Sequence, residues 1–119
     1  MRFASLGSGS RGNATVVAAG DTTVLLDCGF SLRETLRRLT ALAVAPADIS
    51  AILVSHEHSD HCAGVAALSR RLRIPVYLTH GTLGSGRLEG CHEVHTVLPE
   101  EAFRIGALAV QPVAVPHDA

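Results

Sequence analysis

Residues 51–61 read Ala51-Ile52-Leu53-Val54-Ser55-His56-Glu57-His58-Ser59-Asp60-His61. The continuous apolar run at its start is typical of a strand buried on both faces, as in a parallel sheet. The histidines and the aspartate then lie in a loop directly after that strand. Polar groups at such a place cost free energy unless they have partners, so the segment predicts a bound ligand.

The spacing of these side chains favours a metal ion as that ligand. His56 and His58 are two residues apart, so in extended backbone they point the same way and can hold one ion. Imidazole nitrogens suit zinc, iron or manganese, and the nearby Asp60 carboxylate can bind a metal or orient a water molecule. The alternative is a polar loop whose histidines only cap the following helix.

Short apolar or β-branched runs bounded by turn formers predict strands elsewhere in the chain. The first three form a predicted β-meander. These strands are expected at residues 2–6, 15–19, 23–27, 74–78 and 94–98, with a hairpin over residues 103–115 that turns near Gly106.

Two segments have helical periodicity. Leu32, Leu36 and Leu39 recur on one face of a predicted helix, for which Ser31 is the N-cap and Glu34 completes a capping box. A second helix is predicted over residues 62–71, after the histidine motif. The predicted order here is strand, motif, helix, strand.

The composition predicts one globular domain of 119 residues, with 47% hydrophobic and 18% charged residues. A net charge of −1 excludes a global positive field that would attract nucleic acid or an anionic membrane, so any polyanion contact must be local. Three cysteines without CxxC spacing indicate neither a disulfide framework nor a zinc ribbon. Without a signal peptide or membrane span, we expect a cytoplasmic protein with no membrane partner.

Four segments together resemble the metallo-β-lactamase superfamily, and its YycJ/WalJ branch in particular. The motif region resembles the family's HxHxDH signature, and the other matching segments are residues 6–13, 25–29 and 116–119. That branch is close to phosphodiesterases and tRNA-processing enzymes. The resemblance implies an α+β fold, an αββα sandwich, of which residues 1–119 would form a single incomplete domain. It would contribute about the N-terminal half, one mixed sheet with two helices.

The resemblance also implies a set of metal ligands. His56, His58 and His117 would form a first site, and Asp60 and His61 would belong to a second. The family's second site also needs a bridging aspartate and a further histidine, which lie beyond the end of this sequence. Two divalent metals are therefore implied for the family and one complete site for this chain, with Zn²⁺ expected and Mn²⁺ or Fe²⁺ as alternatives.

The function implied is that of a metal-dependent hydrolase of phosphodiesters or nucleic acid, with Asp60 as the catalytic carboxylate and a metal-activated water as nucleophile. Weak or absent activity is expected for the chain as given. Asp27 resembles the aspartate that braces the histidine loop; the alternative is a turn carboxylate at a strand end. Ser8, Ser10 and Asn13 are expected to line the substrate mouth, although Gly-Ser segments are often plain turns.

Two other functions remain open. A thioester or lactone hydrolase of the same superfamily would share residues 56–61 but would fit the glycine-rich segment less well. A non-catalytic metal-binding half-fold would pair with a second copy, as a homodimer, or with a missing C-terminal half, because one sheet face would otherwise stay uncovered.

Overall fold

A computed structural model describes residues 1–9, 12–55, 62–79, 88–98 and 100–112. Its main element is a six-stranded mixed sheet in which the strands lie side by side in chain order. These strands are β1 (Arg2–Gly7), β2 (Ala14–Ala19), β3 (Thr22–Leu26), β4 (Ile49–Leu53), β5 (Pro75–Thr79) and β6 (Glu93–Val97).

The strand pairing changes from antiparallel to parallel at β3. Strands β1, β2 and β3 are antiparallel neighbours, which confirms the predicted meander. Strands β3 to β6 pair in parallel. The carboxyl ends of these four strands therefore meet at one edge of the sheet, which is where parallel sheets commonly bind ligands. Asp27 follows β3 and Ser55 lies two residues beyond β4, so both lie at this edge.

Two helices are described, α1 (Leu32–Ala41) and α2 (Val65–Leu72). Ser31 caps α1 as predicted, because its side chain accepts a hydrogen bond of 3.2 Å from the Glu34 N–H. The helix α2 begins three residues later than predicted, after Gly64, and ends at Arg73 in a left-handed conformation. In the part of the chain that the structure describes, no helix is long and apolar enough to cross a membrane.

The two faces of the sheet bury separate apolar clusters. On one face, Leu25, Ile52 and Val76 pack with Leu39 of α1 and Leu68 of α2, and all five are almost fully buried. On the other face, the smaller cluster joins the sheet to a hairpin of β7 (Phe103–Ile105) and β8 (Leu108–Val110). Strand β4 contributes to both clusters, as its continuous apolar run predicts.

The hairpin turns at Gly106, as predicted, and the turn contacts β3. The Ala107 N–H donates a 2.8 Å hydrogen bond to Thr22 Oγ1, and Thr22 is buried. Gly106 has φ 54°, and a Cβ there would lie 2.2 Å from the same oxygen. This contact fixes the hairpin on the second face of the sheet. The predicted continuation of the hairpin beyond residue 112 lies outside the described residues.

Replacing Thr22 with valine is expected to loosen the hairpin. Thr22→Val keeps the shape of the side chain but removes the acceptor of the Ala107 N–H, and a hydrogen bond of this kind contributes about 0.5–1.5 kcal/mol. Urea unfolding followed by circular dichroism measures the loss of free energy of unfolding. Thr23→Val on the same strand is the control, and equal stability of the two variants would contradict the assigned role of Thr22.

Candidate active site

The predicted metal ligands lie outside the described residues. This holds for His56, His58, Asp60, His61 and His117, and also for Ser10 of the predicted substrate mouth. Within the described ranges there is no group of three or more His, Cys, Asp or Glu side chains that could hold an ion. The structure does show how both ends of the histidine loop, residues 56–61, are held.

Asp27 holds the first end of that loop. Its carboxylate accepts two hydrogen bonds from Ser55, one of 2.7 Å from the backbone N–H to Oδ1 and one of 2.5 Å from Oγ to Oδ2. Its own N–H donates a 2.7 Å bond to the Leu53 carbonyl, and the residue is only 5% exposed. Asp27 thus fixes the residue immediately before His56.

The backbone of Asp27 explains why β3 ends one residue earlier than predicted. Asp27 has φ 63°, in the left-handed region that aspartate and asparagine enter more readily than most residues. This turn directs the carboxylate away from the strand and toward the chain that leaves β4. The expectation that Asp27 braces the histidine loop is compatible with these contacts and remains a proposal for the metal site.

Gly64 holds the other end. Its N–H donates a 2.9 Å hydrogen bond to the Cys28 carbonyl. A Cβ at Gly64 would lie 1.9 Å from the Phe30 carbonyl oxygen and 3.1 Å from Cys28 Sγ, so only glycine fits here. Gly64 lies inside the helix predicted over residues 62–71, where an isolated glycine indicates no more than a possible helix boundary.

The glycine-rich segment, residues 7–13, meets the same part of the chain. The Asn13 carbonyl accepts a 3.0 Å bond from the Gly29 N–H. The Asn13 side-chain amide pairs reciprocally with the Gly9 backbone. The Gly9 N–H donates a 3.1 Å bond to Asn13 Oδ1, and Asn13 Nδ2 donates a 2.9 Å bond to the Gly9 carbonyl. Asn13 therefore organises the turn itself, and Ser8 is exposed. Their predicted contacts with a substrate remain proposals.

We term residues 27–30 the anchor segment. This segment makes hydrogen bonds to three separate parts of the chain. Asp27 holds Ser55, Cys28 holds Gly64, and Gly29 holds Asn13. A single turn after β3 positions the glycine-rich segment and both flanks of the histidine loop. Periodicity and motif spacing do not reveal such a shared anchor, because the three partners are far apart in the chain.

The side chains of Cys28, His92 and His95 are not candidate nucleophiles. Cys28 is fully buried, and burial raises the pKa of its thiol, while its Sγ lies 3.3 Å from Thr35 Oγ1. A neutral buried thiol is a poor nucleophile. His92 and His95 are exposed, and His95 stacks on Tyr77 with ring centroids 4.8 Å apart.

An apolar cleft opens beside Ser55, between the sheet edge and the hairpin. It has a volume of about 310 Å³. Leu53 and Tyr77 line it from the sheet, and Phe103 and Val110 line it from the hairpin. Ser55, the residue before His56, also borders the cleft.

Comparisons with known proteins agree with this architecture. The chain is 31% identical to exodeoxyribonuclease YycJ of Bacillus anthracis, over 100% of this chain and 47% of that protein. It is 28% identical to exodeoxyribonuclease WalJ of Streptococcus pneumoniae, over 100% of this chain and 46% of the relative. The chain thus spans about half the length of these curated relatives.

Solved structures show the same fold. The Rm3 metallo-beta-lactamase superposes with a TM-score of 0.80 at 21% identity, covering 96% of this chain and 49% of that one. Residues 7–97 match the metallo-beta-lactamase superfamily. The predicted α+β class, with a mixed sheet and two helices forming part of the domain, is confirmed. On this match and the YycJ identity together, the chain belongs to the metallo-β-lactamase superfamily, and its similarity to YycJ and WalJ proteins extends over all of its residues.

Proposed function

We propose that this chain carries the first part of the active site of a metal-dependent phosphodiesterase that acts on nucleic acid. The observation that supports it most is the pair of hydrogen bonds from Ser55 to the buried carboxylate of Asp27. Asp27 is buried and has a strained backbone conformation, and both features cost free energy of folding. Such a cost is expected where the residues that follow Ser55 must be placed accurately. The nuclease names of the relatives favour a nucleic-acid substrate.

The donor set fits a divalent ion. Imidazoles and carboxylates are the ligands that zinc prefers, with manganese and iron as alternatives. In the proposal, His56, His58 and His117 hold the first ion, while Asp60 and His61 contribute to a second. A bound ion would polarise a phosphoryl oxygen and make water a nucleophile near neutral pH.

The chain's own residues have the following proposed tasks. Asp60 would orient the attacking water, because its carboxylate can accept a hydrogen bond from that water. Asp27 and Gly64 keep the two ends of the histidine loop at a fixed distance from each other through the anchor segment. Correct placement of reacting groups accounts for several kcal/mol of an enzyme's barrier reduction, so this frame contributes to the rate. Ser8, Ser10 and Asn13 border the substrate.

Metal analysis tests the proposed site. Purified chain saturated with Zn²⁺ and then dialysed is expected to retain about one equivalent, as a site with three protein ligands would. His58→Ala should lose this equivalent, because two remaining imidazoles bind zinc far more weakly. His92→Ala is the matched control, since His92 is exposed and distant in sequence from the motif. Zinc retained by His58→Ala, or lost equally by both variants, would refute the ligand assignment.

The reaction class is tested separately with small substrates. Hydrolysis of bis(p-nitrophenyl) phosphate, slow but abolished in His58→Ala, is the expected outcome. Turnover of a thioester without turnover of the phosphodiester would instead favour the thioesterase alternative. Both assays use the chain at equal zinc loading, so that metal content does not decide the comparison.

A metal-binding half-fold that needs a partner is the second candidate. Among the described residues, only the β7–β8 hairpin covers the second sheet face, and Leu53, Tyr77 and Phe103 there are only partly buried. The chain's span of about half its relatives' length points the same way. Sedimentation equilibrium distinguishes the cases, because a stable monomer with full phosphodiesterase activity would exclude the half-fold.

A further inference from the structure

Arg38 of α1 contacts the start of the glycine-rich segment. Its Nη1 donates a 2.5 Å hydrogen bond to the Leu6 carbonyl, although the two residues are 32 positions apart. Its guanidinium carbon lies 4.1 Å from the centroid of the Phe30 ring. A planar guanidinium can stack on a ring and donate at its edge at the same time, which an ammonium group cannot.

Glu34 orients this guanidinium. Its Oε1 accepts a 3.0 Å hydrogen bond from Arg38 Nε, and it also binds Arg37. These bonds, that from Arg37 first, hold the pKa of Glu34 at about 2. The carboxylate is therefore ionised throughout the range in which proteins are studied. Arg37 and Arg38 share this partner, but of the two only Arg38 has contacts with Leu6 and Phe30 among those observed.

Phe30 fills the space under the glycine-rich segment. A Cβ at Gly7 would lie 2.7 Å from the Phe30 ring, and a Cβ at Gly12 would lie 2.6 Å from it. Both glycines are therefore required by the ring, which is itself buried. The Gly29 bond to Asn13 lies next to this contact. Phe30 therefore contacts Arg38 and both glycines, and Gly7 also lies beside the Arg38 guanidinium, because a Cβ there would be 2.7 Å from Nη1.

We propose that Arg38 is a positioning residue that, through Phe30 and the Leu6 carbonyl, fixes the two ends of the glycine-rich segment, Gly7 and Asn13, relative to Ser55 and Gly64. The anchor segment transmits the position, because residues 27–30 contact Ser55, Gly64 and Asn13 together. The part of this inference that concerns substrate rests on the proposed function. The part that concerns the order of the segment does not.

Amide hydrogen exchange measured by NMR tests the positioning role directly. The Gly9 N–H donates to Asn13 Oδ1 and the Gly12 N–H to the Gly9 carbonyl, so both amides report whether the turn is intact. In Arg38→Met we expect both to exchange about tenfold faster, the effect of losing one charge-assisted hydrogen bond. The amides of Val17 and Val24 in the sheet should exchange as in the wild-type chain.

Arg37→Met is the matched control, because it removes a charge and a Glu34 partner from the same helix without touching Leu6 or Phe30. Equal exchange of Gly9 and Gly12 in the two variants would overturn the proposal. So would faster exchange of Val17 and Val24 to the same degree, since that would show general destabilisation.

Binding of a single-stranded oligonucleotide, followed by fluorescence anisotropy at fixed zinc loading, completes the test. Arg38→Met is expected to weaken binding and raise KM for the oligonucleotide while zinc content and kcat stay near the wild-type values. An unchanged affinity and KM in Arg38→Met would overturn the substrate part of the inference. If the wild-type chain neither binds nor cleaves the oligonucleotide, the proposed function fails, and the exchange result still decides the positioning role.

Discussion

Gly64→Ala is expected to destabilise the chain by about 3 kcal/mol or more, above the usual range for overpacking. The added Cβ would lie 1.9 Å from the Phe30 carbonyl oxygen, and this neighbour is backbone, which cannot move aside as a flexible side chain can. Relief requires residues 28–30 and the start of α2 to separate, which breaks the Gly64 to Cys28 bond. A fall of about 10 °C or more in Tm follows for a domain of this size.

The conformation of Gly64 does not contribute to this loss. Its φ is −101°, which any residue adopts, so the effect is steric alone. Gly9→Ala is the informative control, because Gly9 has φ 116° and no atom within 4 Å of its added Cβ. It measures backbone strain without a clash. A Gly64→Ala chain as stable as Gly9→Ala would show that α2 does not pack against the anchor segment as described.

Asp27→Ala is expected to have the second largest effect. The substitution removes both carboxylate acceptors of Ser55, and a hydrogen bond to a charged group contributes about 1.5–3 kcal/mol. It also places alanine at φ 63°, a left-handed conformation that alanine enters less readily than aspartate, so backbone strain adds to the loss. The free energy of unfolding should fall by about 3 kcal/mol or more, measured by urea denaturation.

A second readout separates structure from metal binding. Because Ser55 precedes His56, loss of its anchor should also weaken zinc binding by about tenfold, as loss of a residue that supports metal ligands typically does. Competition with a chelator measures this affinity in the folded chain. Asp27→Asn keeps the left-handed conformation and one acceptor, so it should lie between wild type and alanine. Asp21→Asn at the exposed β2–β3 turn should match wild type in both measurements.

Much of the fold was accessible from the sequence. The run Ala51-Ile52-Leu53-Val54 predicts a strand covered on both faces, and β4 indeed contributes to both apolar clusters. The turn at Gly106 and the cap at Ser31 were also predicted correctly, because each depends on residues close together in the chain. Local chemistry decides such features, and local chemistry is what a single sequence displays.

The features missed depend on contacts between distant residues. Helix α2 begins at Val65 because Gly64 is bound to Cys28, and no pattern within residues 62–71 indicates that bond. Arg38 lies outside the leucine stripe that predicts α1, yet its guanidinium reaches the Leu6 carbonyl across 32 positions of the chain. The pairing of the Asn13 side-chain amide with Gly9 also has no signal in the spacing of the segment. The metal ligands are predicted from the resemblance of the motif to the family. Zinc retention by the wild-type chain and by His58→Ala tests that prediction.

The change of direction at β3 bears on the order in which this site is assembled during folding. Strands β1 to β3 form from neighbouring segments, and such local pairings close quickly, whereas the parallel pairing of β3 with β4 must wait for a crossover through α1. We therefore expect Asp27 and the Gly9–Asn13 turn to form before Ser55 pairs with Asp27. In the proposed function, the metal site would then be completed late in folding, on a template that the first third of the chain provides.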